Sequence, residues 1–186
     1  YLEGNQIREL TPLQELTSLT GLNLSMNHIS DLTPLQMISS LVSLVLSNNC
    51  ISDLSPLLGM YTLEELDVDS NPLSDIAITG QIPQLTGDGI MVYFSTYSED
   101  NCPASEGEGE GEGEGEGEGE GEGEGEGEGE GVVTIPDPNL ENALRHTLGL
   151  SPTDPITAAA LATITILNAD SYGIVNLTGL EYCIAL

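Results

Sequence analysis

Asn5, Asn27, Asn49 and Asn71 recur at intervals of 22 residues, and a ladder of apolar residues keeps step with them. From Leu19 the apolar positions are Leu19, Leu22, Leu24, Ile29, Leu32, Leu35 and Ile38. One period later they are Leu41, Leu44, Leu46, Ile51, Leu54, Leu57 and Met60. A third pass gives Leu63, Leu66, Val68, Leu73, Ile76 and Ile82, with a slip at Thr79, where the apolar Ile78 stands one place early. A unit this short cannot bury its own apolar face, so a fixed period means units stacked on one another around a shared core.

The written pattern, L-x-x-L-x-L-x-x-N, is that of a leucine-rich repeat. It predicts an α/β repeat solenoid. In L-x-L the two leucines point inward and the residue between them points outward, as strand geometry requires. Each Asn falls where the chain leaves the strand and bends, and its amide can satisfy backbone groups that would otherwise be unpaired. Asn5, Asn27, Asn49 and Asn71 are therefore expected to form a structural ladder. Pro12, Pro34 and Pro56 recur in the second half of each unit. Proline presets φ for the first turn of a helix, so short 3₁₀ turns are predicted on the convex side.

The run Asn27-His28-Ile29-Ser30-Asp31-Leu32-Thr33-Pro34-Leu35 resembles the 22-residue repeat of bacterial internalin-like proteins. The resemblance covers residues 1 to about 85 and returns near residue 186. It implies a curved solenoid, secretion or display at the bacterial cell surface, and protein recognition through the concave sheet.

From Glu106 to Gly131 the sequence alternates Glu and Gly without a break, and this run holds 13 of the 31 acidic residues. Glycine resists ordering, glutamates repel one another, and no apolar side chain offsets the entropy. Residues 104–131 are expected to be a disordered linker with a coil span of ~28 Å. It divides the chain into residues 1–103, the C-terminal part of a solenoid with its terminal cap, and residues 132–186. Within the first part, residues 85–97 are expected to form capping strands. In the second, Asp137, Pro138 and Glu141 are suited to opening a helix that Gly149 can end. Thr157 is suited to capping another. Ile164, Leu167, Ala169, Ile174, Leu177 and Leu180 then fall on the repeat register, with Tyr172 in the Asn column. This part resembles the helical N-terminal cap of internalin-like domains, beginning the first repeat of a second solenoid. Both ends of the chain lie inside a repeat, as expected of a piece of a longer polypeptide.

The net charge of −29 rests on only two strong bases, Arg8 and Arg145. Nucleic acid needs clustered cations, so it is excluded as a partner. No apolar stretch reaches membrane-spanning length, and no membrane insertion is expected. Asp67, Asp69, Asn71 and Asp75 resemble the start of an EF-hand loop, but Pro72 and Ile78 stand where glycine and glutamate are needed. No metal site and no cofactor are expected. His28 and His146 are isolated surface residues, and no nucleophile elbow, phosphate loop or Cys-x-x-Cys spacing occurs. The chain is read as non-enzymatic. Cys183 occupies an apolar column and is expected to be buried. Cys50 sits in the variable column after Asn49 and Cys102 lies beyond the last repeat turn; three cysteines permit a disulfide without implying one, and no pairing is assigned.

The strand residues between the leucines are free of packing duty. Tyr1, Asn23, Val45, Asp67 and Gly89 form one concave column. Glu3, Ser25, Ser47, Asp69 and Met91 form the next, and Gly21, Ser43, Glu65 and Gly87 a third. The expected partner-binding set is Tyr1, Glu3, Asn23, Ser25, Val45, Ser47, Glu65, Asp67 and Asp69. Glu64, Glu65, Asp67 and Asp69 make one end acidic, which favours a basic protein ligand. The functional expectation is a protein-binding or adhesive module. The alternatives are a spacer without a specific ligand, or a non-catalytic targeting region of a larger enzyme.

Overall fold

The computed structural model describes residues 1–95, 102 and 131–186. The expected linker, except Gly131, lies outside the described residues.

Four successive coils each contribute one three-residue strand to a parallel sheet: β1 (Gly21–Asn23), β2 (Ser43–Val45), β3 (Glu65–Asp67) and β4 (Met91–Tyr93), in that spatial order. Leu22 stands opposite Leu44, and Leu44 opposite Leu66. This in-register stacking follows from the 22-residue period. The leucines of successive coils meet in one core, in which Leu24, Ile29, Leu44, Leu46, Ile51, Leu54, Leu66 and Val68 are fully enclosed. On the convex side lie the 3₁₀ helices Thr11–Leu13, Thr33–Met37 and Ser55–Leu57, each with its proline in the first two positions.

A second column explains how each coil turns. Gly4, Met26, Asn48, Ser70 and Ser171 all adopt left-handed backbone, with φ between 54° and 68°. Each immediately precedes the Asn column. The bend is thus enforced at one position per coil, and only one of the five is glycine. The other four accept a conformation that disfavours a Cβ, and the flanking ladder bonds hold them in it.

The last coil departs from the period. Glu65 pairs with Met91, 26 residues on, and Asp67 with Tyr93. The extra length is taken up by helix. A π-helical turn at Ala77–Gln81 runs into α1 (Ile82–Gly87) in place of a single 3₁₀ turn. Gln81 anchors this wider convex side. Its Oε1 accepts the Leu54 N–H at 2.8 Å, and its Nε2 donates to Asp53. The strand expected over 85–97 is therefore corrected: residues 85–87 are helical and the strand is Met91–Tyr93. Residues 96 and 97 lie outside the described residues.

Residues 131–186 form a helical unit ending in one more coil. α2 (Pro138–Leu148) begins at Asp137 and ends at Gly149, whose φ is 67°. α3 (Ala158–Leu161) is capped by Thr157, whose hydroxyl accepts the Ala160 N–H at 3.1 Å. Ile164, Leu167, Ala169, Ile174, Leu177, Leu180 and Cys183 are buried in repeat register. This coil lies against the Tyr1 edge of the stack. Ala169 N–H donates to Tyr1 C=O at 3.0 Å, and Ser171 N–H to Glu3 C=O at 2.8 Å. Leu24 to Val45 and Met26 to Ser47 are the corresponding bonds inside the stack, at 2.8 and 2.9 Å.

Candidate protein-binding face

The strand face is held rigid by the Asn column. The Asn49 side chain donates to Leu24 C=O at 2.9 Å, Leu46 C=O at 3.0 Å and Ser47 C=O at 3.4 Å. Its Oδ1 accepts the Ile29 N–H at 3.0 Å. Asn27 and Asn71 repeat the pattern one coil away on either side. Asn5 does the same against the 164–186 coil, through Ala169 and Ile174. The four amides do not bond one another; each ties two coils of backbone together. All four are buried, and among the described residues no buried side-chain polar atom lacks a partner. Tyr172, in the same column, is 37% exposed instead.

The outward residues of the strands form the concave face in two rows that the sheet register defines. Asn23, Val45, Asp67 and Tyr93 are successive neighbours, as are Gly21, Ser43, Glu65 and Met91. Tyr1 extends the first row and is exposed, while Asn23, Val45 and Asp67 are half-buried. In the next row Glu3, Ser47 and Asp69 are half-buried and Ser25 is buried. Ser25 hydroxyl donates to Asn23 Oδ1 at 2.7 Å, and Asn23 Nδ2 donates to Glu3 Oε2 at 3.1 Å. These three side chains therefore satisfy one another. Asp67 Oδ1 accepts the Asp69 N–H at 2.9 Å, which turns one of its oxygens toward the backbone.

The longer last coil changes the face. Gly87 and Gly89, expected beside Glu65 and Asp67, lie off the sheet, and Met91 and Tyr93 take their places. Met91 is 59% exposed and Tyr93 is 51% exposed. The end of the face is thus an apolar and aromatic pair set against two carboxylates. Uniform 22-residue counting puts Met91 in the wrong column, beside Asp69 instead of Glu65, and takes Tyr93 off the face altogether. The slip at Thr79, and the alternation of Ile90, Val92 and Phe94 around them, were the available signals.

Away from the sheet, Cys50 and Cys102 form a disulfide with a Cα separation of 5.4 Å. Cys50 follows Asn49 directly, so the bridge fastens Cys102 to the third Asn coil. Cys183 is a buried free thiol, and burial, with Glu181 nearby, pushes its pKa up to about 12. His28 is half-buried and His146 exposed. Among the described residues no group of three or more His, Cys, Asp or Glu could hold a metal ion, and no helix is long and apolar enough to cross a membrane.

Two family models for leucine-rich repeats match the chain, one over residues 39–80 with two copies and one over residues 15–32. The stack is built of leucine-rich repeats. The leucine-rich repeat chain is similar to internalin C2 of Listeria monocytogenes, at 35% identity over 51% of this chain and 40% of that one, with a TM-score of 0.45. It is also similar to internalin F of the same organism, at 36% identity over 50% of this chain and 26% of that one, with a TM-score of 0.42. The match thus spans well under two thirds of the length of either internalin. No curated protein matches the chain.

Proposed function

We propose that this chain is a non-catalytic protein-binding module of a secreted or surface-displayed bacterial protein, and that it holds its partner on the concave sheet. The observation that carries this reading is the exposed pair Met91 and Tyr93 beside Glu65 and Asp67. Aromatic and methionine side chains supply contact area at interface centres. Flanking carboxylates attract a basic partner and raise the rate of encounter. The set expected from the sequence, Tyr1, Glu3, Asn23, Ser25, Val45, Ser47, Glu65, Asp67 and Asp69, stays in this proposal, with Met91 and Tyr93 added. Ser25 supports the face from beneath. The disulfide favours an oxidising compartment, consistent with secretion or surface display. Residues 132–186 keep the proposed role of helical N-terminal cap and first repeat of a second leucine-rich repeat domain, although here their coil packs on the Tyr1 edge of the first stack.

Binding of the chain to cell extracts and whole cells tests the reading. A Tyr93→Ala, Asp67→Ala, Glu65→Ala variant is expected to lose binding at least tenfold, while Tyr61→Ala, an exposed tyrosine off the sheet, keeps it. Equal retention by both variants would leave the spacer reading in possession.

A further inference from the structure

The strand that carries Met91 and Tyr93 is weakly supported. β2 and β3 have a strand on each side, whereas β4 pairs only with β3. Its inward side chains are also poorly enclosed. Leu44 and Leu66 are fully buried, but Val92, opposite Leu66, is only half-buried. Leu46 and Val68 are fully buried, but Phe94, which follows Val92 as Val68 follows Leu66, is 38% exposed. In a stack of coils an end unit has one neighbour to bury it, so it is the first to open.

Both flanks of β4 are tied to one inner coil, the coil that carries β2. Upstream, Gln81 bonds the Leu54 N–H and the Asp53 carboxylate. Downstream, Cys102, nine residues after Tyr93, is bridged to Cys50. While both anchors hold, an opened β4 is a loop fixed at its two ends, and pinned ends limit the chain entropy that opening recovers. Breaking the bridge removes the covalent anchor and releases that freedom. Cys50 and Cys102 are each half-buried, within reach of a small reductant, whereas Cys183 is buried and stands apart from the bridge.

We propose that the Cys50–Cys102 bridge is a redox latch on the β4 coil. A dithiol passes two electrons and two protons to the bridge, leaves Cys50 and Cys102 as thiols, and is itself oxidised to a cyclic disulfide. With the latch closed, Met91 and Tyr93 stay in register beside Glu65 and Asp67. With it open, β4 frays from the sheet while the inner coils stay folded, and the concave face loses its apolar and aromatic end. The consequence for partner binding rests on the concave-face reading above; the fraying itself does not.

The experiment is amide hydrogen exchange on the full chain in native buffer, before and after dithiothreitol. The Met91 N–H donates to Glu64 C=O and the Val68 N–H to Tyr93 C=O, so these two amides report β4. The Leu24 N–H, bonded to Val45 C=O, reports the interior of the stack. Reduction is expected to speed exchange at Met91 and Val68 by about tenfold or more and to leave Leu24 within about twofold. Cys50→Ser with Cys102→Ser should show the reduced pattern with and without dithiothreitol. Unchanged exchange at Met91 and Val68 overturns the proposal. An equal rise at Leu24 also overturns it, since the loss is then spread over the whole stack. A bridge that dithiothreitol leaves closed in the folded chain overturns it as well. No partner is present in the measurement, so its failure is distinct from a failure of the concave face to bind one.

Discussion

The Oδ1 of Asn5 accepts the Ile174 N–H at 2.9 Å across 169 positions of sequence. Asn27 makes the same bond with Ile7, and Asn49 with Ile29, each at 3.0 Å. The Asn column is thus a property of stacked coils and does not require that the coils follow one another along the chain. Each amide satisfies groups of two coils at once, so each is a coupling between neighbours in a nearly one-dimensional assembly.

Asn49→Ala would strip partners from the Leu24 and Leu46 carbonyls and the Ile29 N–H at a buried boundary. Unmade hydrogen bonds to buried groups cost about 1–3 kcal/mol each, with incomplete additivity. We expect a total loss of about 3 kcal/mol or more, read as a fall in the urea midpoint. Asn49→Asp should not rescue it, because a carboxylate cannot donate to the three carbonyls. A loss below about 1 kcal/mol would mean that water replaces the amide.

Gly179 has φ of 108°, and a Cβ built there would collide with the Ile135 side chain. Gly179→Ala therefore meets both backbone strain and overpacking, together about 2–4 kcal/mol. Thermal unfolding should show the loss. Ile135→Ala is costly by itself because Ile135 is buried, so the steric part is read as the coupling between the two changes in a double-mutant cycle, and it should be smaller than the whole Gly179→Ala loss. A coupling equal to that whole loss would show that the left-handed backbone carries no strain for alanine.

Asp137 is a buried carboxylate that caps α2 and also ties it to the last coil. Oδ1 accepts the Asn139 and Leu140 N–H groups, at 2.8 and 3.1 Å, and Oδ2 accepts those of Val175 and Asn176, at 2.7 and 2.9 Å. Burial alone would raise its pKa, but the four N–H donors outweigh it and hold the value below the ordinary 3.8. A depressed folded-state pKa adds stability that is present above the unfolded value and is lost as pH falls through the folded value. Wild type should therefore exceed Asp137→Asn in melting temperature at pH 6, with the difference shrinking below pH ~4. A difference independent of pH would refute the charged cap.

The Cys50–Cys102 bridge closes a separation of 52 residues. The chain-entropy relation puts its stabilisation at about 4 kcal/mol. Reductant should lower the urea midpoint of wild type but not that of Cys50→Ser with Cys102→Ser. Thiol labelling supplies an independent check. The native protein should react at no site, since Cys183 is buried with its thiol pushed up to about 12. The unfolded protein should react at one site, and the unfolded, reduced protein at three. Three reactive thiols without reductant would exclude the bridge.

The repeat architecture was legible because leucine spacing leaves few alternatives. Residues at fixed 22-residue intervals must meet if the coils stack, so Leu22, Leu44 and Leu66 reach one core without any knowledge of the rest. The caps at Asp137 and Thr157 and the stop at Gly149 were equally local, since each depends on side chains or φ within one turn. The concave rows were legible as far as the period held. They failed at β4, where Gln81 reaches back to Leu54 and Asp53 to hold a wider helical turn. That is a contact between coils, and no count along one coil contains it.

By itself, then, the amino-acid order determined the coil, its inward leucines, its amide column and the helix ends, all of which follow from short-range periodicity and local bonding. Tertiary structure alone decided that Met91 stands beside Glu65 and Tyr93 beside Asp67, that Cys50 reaches Cys102, and that Asn5 closes on Ile174. Those three depend on where distant segments come to rest. That is set by packing and burial summed over the whole stack, a quantity no local pattern encodes.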